Sequence, residues 1–283
     1  EMCIRDRFDL ESFGGFGFGL GIAGAAMATV ISQVVVFIVF IFMLFFKNHS
    51  YISFNLSDFT FSTDIIWDII KVGLPASLSM IVMAVGQGVF NKILVHISVN
   101  TVAAYQVAGR LDMLVFLPIF SIAASLTTLV GMFYGAKEYG ALRYIIKYGI
   151  FSALLITIIS STIVYTFAGH VVRFFTDDAS IVIIAVNFLQ IFAFAYPFIA
   201  VGITTGRVLQ GLGKGLPVLI ITIVRVLGVS APLALFFVFI MDKTVEWVWY
   251  SMMLSTIVAF GIGLTWLIST LKTLPTSGQS LNN

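Results

Sequence analysis

Charge is scarce in this sequence: Asp, Glu, Lys and Arg together make up 10% of its 283 residues. A soluble domain carries about 25% charged residues, and these cover its surface with groups that water accepts. Here 60% of the residues are hydrophobic and the mean hydropathy is +1.09. Such a chain cannot dress a water-facing surface, so its solvent is the lipid bilayer. That excludes a cytosolic enzyme, a nucleic-acid binder and a secreted disulfide scaffold. Cysteine is nearly absent too: Cys3 is the only one, and no disulfide or thiol chemistry follows from it. His49, His96 and His170, the three histidines, fall at the ends of apolar runs or in connections. No His, Cys and carboxylate cluster has metal-ligand spacing. Neither an enzyme, nor a cofactor, nor a metal centre is therefore expected. The net charge of +2 says little, because the placement of Lys and Arg matters more than their sum.

The N-terminus is unusual. The chain begins with Glu1, and Met2-Cys3-Ile4-Arg5-Asp6-Arg7 reads as the translation of a transposase adapter used in sequencing libraries. The alternative is a genuine basic N-terminus. Residues 1–7 are set aside as a scar, and the protein is expected to begin further upstream.

What is abundant is long uncharged runs. A helix crossing about 30 Å of hydrocarbon needs roughly 20 apolar residues. Runs between Glu11 and Lys47, Lys71 and Lys92, Asp112 and Lys137, Lys147 and Arg173, Asp178 and Arg207, and Glu246 and Lys272 are long enough. Thr101 to Phe133 makes one long helix if Arg110 and Asp112 are carried inside it. Lys214 to Asp242 is broken only by Arg225 near its start. The spacing predicts seven spans, over about 20–46, 74–95, 102–134, 144–168, 181–208, 217–240 and 246–270. Barrel strands would alternate apolar and polar residues, whereas Val34 to Phe46 is apolar on every side. An all-α, polytopic membrane protein is expected.

Between the first two spans, Ile65, Ile66, Ile69 and Ile70 oppose Asp64, Asp68 and Lys71. This pattern predicts a short helix lying in the interface, with a plain solvated loop as the alternative. Lys47 and Lys71, then Lys137, Arg143 and Lys147, then Arg207, Lys214 and (at the edge) Arg225, and finally Lys272 all fall on one side of the membrane. That side should be cytoplasmic and holds the C-terminus. The first span then enters from outside, which calls for further spans upstream.

Gly19-Leu-Gly21-Ile-Ala-Gly24 matches a dinucleotide-binding string but lacks the strand and βαβ context that site needs. Its small residues suit close helix packing. Gly131 and Gly135 form a GxxxG at a helix end, either a packing face or a terminus capped by Gly135. Polar residues inside spans are costly and face a cavity or a partner. Met83, Gln87 and Asn91 recur every four residues on one face. Gln106 and Arg110 share a face that Ser121, Ser125 and Thr128 extend, and Asn187 and Gln190 share another, with Tyr196 and Pro197 below. Asp112, the only carboxylate well inside a span, points elsewhere than Arg110. These groups either glue helices together, at about 0.6 kcal/mol each, or line a polar cavity.

Several stretches resemble the multidrug and toxic compound extrusion (MATE) transporters. They are Gly73-Leu-Pro-Ala-Ser77; Val102-Ala-Ala-Tyr-Gln-Val-Ala-Gly-Arg110 with Leu117-Pro118, Thr127-Thr-Leu-Val-Gly131 and Tyr134-Gly-Ala-Lys137; Phe174-Phe-Thr-Asp-Asp178; Leu209-Gln-Gly-Leu-Gly-Lys214 with Pro217; and Gly21-Ile-Ala-Gly-Ala-Ala26 with Ala28-Thr29. They occur in family order from about residue 13 to 270. The resemblance implies two six-helix lobes that rock about a central cleft. They export cationic or amphipathic drugs against a Na⁺ or H⁺ gradient across a cell membrane, in all expectation a bacterial inner one. Residues 8–46 would end the N-lobe, 47–72 would be a cytoplasmic linker with its interfacial helix, 73–271 the six-helix C-lobe and 272–283 a cytoplasmic tail. The expected partners are small cationic or amphipathic substrates, the bilayer and the N-terminal lobe of the same chain, with no nucleic acid.

Candidate cleft residues are Gln87, Asn91, Gln106, Arg110, Asn187, Gln190 and Tyr196. Where some members of the family carry coupling acids, this chain has Met83 and Ile199. Ion coupling would then rest on the N-lobe, with Asp112 the C-lobe's one weak candidate. The alternatives are a related lipid-linked oligosaccharide flippase, which would need a strongly basic cavity, a non-transporting membrane scaffold, and a fragment that is inactive alone. The uninterrupted gene is expected to encode about five further spans upstream, with an aspartate in the first. A native start codon near residue 8 would overturn that expectation.

Overall fold

The structure, a computed structural model, describes residues 21–46 and 62–275. The adapter-like residues 1–7, residues 47–61 of the expected linker and the tail from residue 276 lie outside the described residues. All regular structure among the described residues is helical. The chain divides into two units, Glu1–Phe61 and Ser62–Asn283. The first contributes one helix, α1 (Gly21–Phe46). At 1.5 Å per residue its 26 residues extend about 39 Å. Consecutive large apolar side chains from Val34 to Met43 are all exposed, as befits a helix with no polar face.

The second unit holds six helices: α2 (Thr63–Ile97), α3 (Val99–Gly135), α4 (Tyr139–Arg173), α5 (Ala179–Gly211), α6 (Leu216–Ile240) and α7 (Glu246–Lys272). Each is long and apolar enough to cross a membrane. Together with the shorter apolar stretch of α1, they give the expected all-α, polytopic membrane protein. The residues expected to form a separate interfacial helix are helical, but they are the first turns of α2, which continues unbroken through Pro75. Proline lacks the N–H that would bond the carbonyl four residues back, here that of Lys71. Gly215, at the foot of α6, lies against this spot. A Cβ on Gly215 would sit 2.8 Å from the Val72 oxygen and 3.1 Å from the Lys71 oxygen, so glycine is what lets the two backbones meet.

Short connections alternate the helix directions. At one end, Asn100 Nδ2 donates to Ser180 Oγ at 2.8 Å and His96 stacks on Phe239 at 4.6 Å. At the other, Arg143 donates to the carbonyls of Leu271 and Leu274 at 3.2 and 3.0 Å, satisfying the open C-terminus of α7. Lys214 Nζ reaches Thr270 Oγ1 at 3.4 Å. Arg143 and Lys214, two of the basic residues used to orient the chain, thus meet at the C-terminal end of α7.

The helix termini follow from side-chain chemistry. Asp178 caps α5 by accepting from Ser180 N at 2.9 Å and Ser180 Oγ at 2.7 Å. The Ser180 hydroxyl, with the Ser180 amide, holds its carboxyl below the usual carboxylate range. The cap therefore contributes above the ordinary Asp pKa and is lost as pH falls through the lowered value. Helices α3 and α5 both end with an amide bonded five residues back, Glu138 N to Phe133 O at 3.0 Å and Lys214 N to Leu209 O at 2.8 Å. That turn needs one left-handed residue. Gly213 supplies it at φ 76 for α5, while α3 uses Lys137 at φ 60, not Gly135. Gly135 is therefore not the cap, whereas Gly131 packs: its Cβ position is 3.6 Å from the Gly211 oxygen.

Helix α5 is central, packed against α3, α4 and α7. Ala185, Ala195 and Ala200 are fully buried along it, small enough to let its neighbours approach closely. Between α2 and α6, Val226 Cγ1 fills the space of the missing Gly86 side chain, 2.2 Å from where a Cβ would stand. Between α3 and α5, a Cβ on Gly211 would lie 2.7 Å from the Thr127 carbonyl oxygen. Gly211→Ala is expected to lower stability by about 1–3 kcal/mol through overpacking, read as a reduced melting midpoint in detergent. Gly202→Ala, with nothing within 4 Å, should leave the midpoint unchanged or raise it; equal loss in both would overturn the assignment.

Candidate functional site

Five helices of the second unit, α2, α3, α5, α6 and α7, enclose a cavity of about 500 Å³. Helical spacing selects which residues reach it. From α2 come Met83, Gln87 and Phe90, and from α3 Tyr105, Gln106, Gly109 and Asp112. Phe188, Phe192 and Ile199 come from α5, Arg225, Val226 and Ser230 from α6, and Met252, Ser255 and Thr256 from α7.

One wall is aromatic. Phe188 stacks on Phe192 with centroids 4.2 Å apart and meets the buried Trp249 edge-on at 4.8 Å. Tyr105 lies 5.7 Å from Phe188 and 5.8 Å from Trp249. Offset and edge-on pairs of this kind favour the packed arrangement beyond their burial. They leave π faces and edges turned towards a ligand.

The polar side is sparse. Gln106 Nε2 donates to Asn91 Oδ1 at 3.4 Å. Ser255 and Thr256 donate to the Met252 carbonyl at 2.7 and 3.0 Å, so only their oxygen lone pairs remain free. Asp112 is half-buried, and the hydroxyl of fully buried Tyr196 donates to its Oδ1. This bond joins α3 to α5 beneath the cavity. Arg225 is half-buried and makes no hydrogen bond or ion pair with another described residue.

Arg225 owes its position to the winding of α6. Residues Val224–Ser230 form a π-helical stretch just before Pro232. The proline has no N–H to donate and its ring crowds the preceding turn, which the wider winding accommodates. On an α-helix, residues five apart would point about 140° away from each other. A π turn closes i to i+5, so Arg225 and Ser230 reach the same cavity.

Of the residues singled out in the sequence, Gln87, Gln106 and Asp112 line this cavity. Asn91 touches it through Gln106, and Tyr196 supports it through Asp112. Arg110 and Gln190 are exposed and are not among the residues that line it. Asn187 lies beside Phe188 with a buried Oδ1 that has no hydrogen-bond partner among the described residues. Met83 and Ile199, which stand where the resemblance puts coupling acids, both border the cavity. Arg225, carried inside the 217–240 span but counted for orientation at the connection's edge, is the cavity residue that sequence reasoning did not name. Its signal was Pro217, which starts the helix and puts Arg225 about 14 Å along the axis, well inside a span. The aromatic wall had no sequence signal, because its members look like ordinary core.

A polytopic helical unit with a partly polar, aromatic-walled cavity between its spans is the architecture of a membrane transporter rather than of an enzyme. The MatE family model matches residues 75–236. The chain belongs to the MatE family, the multidrug and toxic compound extrusion transporters. It is 28% identical over 223 residues to the probable multidrug resistance protein NorM of Thermotoga maritima, covering 78% of this chain and 48% of that protein. It is 30% identical over 200 residues to the multidrug export protein MepA of Staphylococcus aureus, covering 71% and 44%. The chain thus spans about half the length of the curated relatives it matches. Among solved structures, a MATE protein in a bent conformation superposes with a TM-score of 0.82 at 30% identity, covering 92% of this chain and 57% of that one. An outward-facing multidrug resistance MATE transporter gives 0.81 at 30% identity, covering 92% and 59%.

Tyr196→Phe removes the donor to Asp112 and leaves a carboxylate oxygen unmet. A loss of about 1–3 kcal/mol is expected, seen as a lower melting midpoint. A second change, Asp112→Leu, should restore part of that loss when combined with it. Additive losses would show that the two side chains do not depend on each other.

Proposed function

We propose that the whole protein is a secondary active antiporter. It would export cationic or amphipathic drugs and toxic metabolites in exchange for Na⁺ or H⁺ by alternating access. On this reading the second unit is its C-terminal lobe, α1 is the last helix of its N-terminal lobe, and the basic end and C-terminus face the cytoplasm of a bacterial cell. The observation that carries the reading is Asp112, a carboxylate exposed to an aromatic cavity in a chain of the MatE family. Aromatic faces attract cations, and a carboxylate in a poorly hydrated site attracts them over a longer range. Met80, Met83 and Met252 border the same space, and flexible thioethers adapt to many ligand shapes. Met83 and Ile199 leave the lobe short of acids, so the coupling ion would bind in the N-lobe, with Asp112 as the C-lobe's own candidate. Rocking of the two lobes about the cavity would carry substrate across.

The test is efflux of a permanently cationic dye by the full-length protein in cells lacking other exporters. Asp112→Asn is expected to cut ion-gradient-dependent efflux about tenfold, the equivalent of 1.4 kcal/mol. Gln87→Ala should raise the half-saturating dye concentration, and Asn187→Ala tests its place among the cleft residues. A full-length protein that inserts normally yet shows no gradient-dependent efflux would overturn the proposal.

A further inference from the structure

We infer that Arg225 is the anchor for an anionic group, so that this cavity takes zwitterionic amphipaths: a carboxylate on Arg225 and a cationic centre toward Asp112. The inference deepens the drug-export reading and rests on it for the direction of transport.

An arginine more than two turns inside a membrane helix is costly unless it meets a counter-charge or a cavity. Arg225 lines the cavity and forms no ion pair with another described residue, Asp112 included. Asp112, in contrast, already has its donor in Tyr196. The Arg225 guanidinium and the Asp112 carboxyl therefore line one cavity without contacting each other, and a ligand carrying both signs can meet both. Guanidinium offers a planar fork of N–H donors that fits a carboxylate through two parallel bonds. The π turn sets Ser230 on the same wall, and its hydroxyl makes no hydrogen bond with another described residue, so it is free to donate to the same anion. The cavity of about 500 Å³ suits a small amphipath, since ligand pockets run from about 300 to 1,000 Å³. A lipid phosphate shares the anion chemistry but brings two acyl chains, and the experiment separates the two sources.

The experiment uses the full-length protein and two dyes, a rhodamine with a free carboxylate and its methyl ester. The pair differs only in the anionic group. Export is followed in cells, and binding is followed by fluorescence anisotropy on purified protein in phosphatidylcholine vesicles. R225Q is expected to shift the carboxylate-to-ester export ratio at least tenfold toward the ester, with R225K, which keeps the charge but not the fork, in between. Equal loss of both dyes would overturn the inference, because Arg225 would then serve the fold or pair with a carboxylate of the other lobe. An unchanged ratio would overturn it as well. If the wild type exports neither dye, the export reading fails by itself. The anion site then stands on carboxylate-dye binding lost in R225Q, and falls if that binding is absent or survives. Displacement of the bound dye by phosphatidylglycerol added to the vesicles would reassign Arg225 to a lipid headgroup and overturn the small-molecule inference.

Discussion

Hydrocarbon gives a polar group nothing to bond, and every choice in this structure answers to that. The backbone satisfies itself by staying helical. Hydroxyls inside the spans do the same locally: Thr157, Thr204, Thr222 and Thr256 each donate to the carbonyl four residues back on their own helix. Where a helix ends, a side chain from elsewhere takes over, as Arg143 does at the last carbonyls of α7. Groups that cannot be served in this way are the informative remainder. Gln87, Gln106, Asp112 and Arg225, from three different helices, converge on one cavity. Arg110, Asn187 and Gln190 do not join them there.

The geometry of that cavity depends on how α6 winds. Pro232 and the π turn before it are a backbone irregularity on a helix that otherwise reads as plain apolar sequence. The irregularity decides which way two side chains point, and hence whether a membrane-buried cation faces neighbouring side chains or open space. Aromatic rings on α3 and α5 supply another part of the wall, with Trp249 of α7 packed against them. Polar recognition and shape tolerance are thus built from different helices, and one can change without the other.

Much of this was legible in the residues. The spans followed from gaps between charges, because a charge in lipid is costly enough to act as punctuation. Gln87, Gln106 and Asp112 were found by the same rule, being polar groups where none should be tolerated. The rule failed at Arg225, since a charge near the start of an apolar run looks like the end of a loop. Counting turns from Pro217 shows how deep inside the span it lies. The start of α2 was misjudged for a related reason. Asp64, Asp68 and Lys71 suggested a separate amphipathic piece ahead of Pro75, yet the helix continues through it, with the Gly215 backbone close against the Lys71 and Val72 carbonyls. Tyr196 was named from its place in a span, but its pairing with Asp112, 84 residues away, like that of Tyr105 with Trp249, has no local signature. A tyrosine in an apolar run reads the same whether its hydroxyl meets water or a carboxylate.

The meeting of Gly86 with Val226 carries a consequence for descent. One methyl group of Val226 stands in the volume that any side chain at 86 would claim, so position 86 can gain a side chain only if Val226 shifts or shrinks. A lineage that gains a side chain at 86 must first, or at once, give way at 226, the immediate neighbour of Arg225. The contact thus ties the packing of α2 on α6 to the residue beside the cavity's cation.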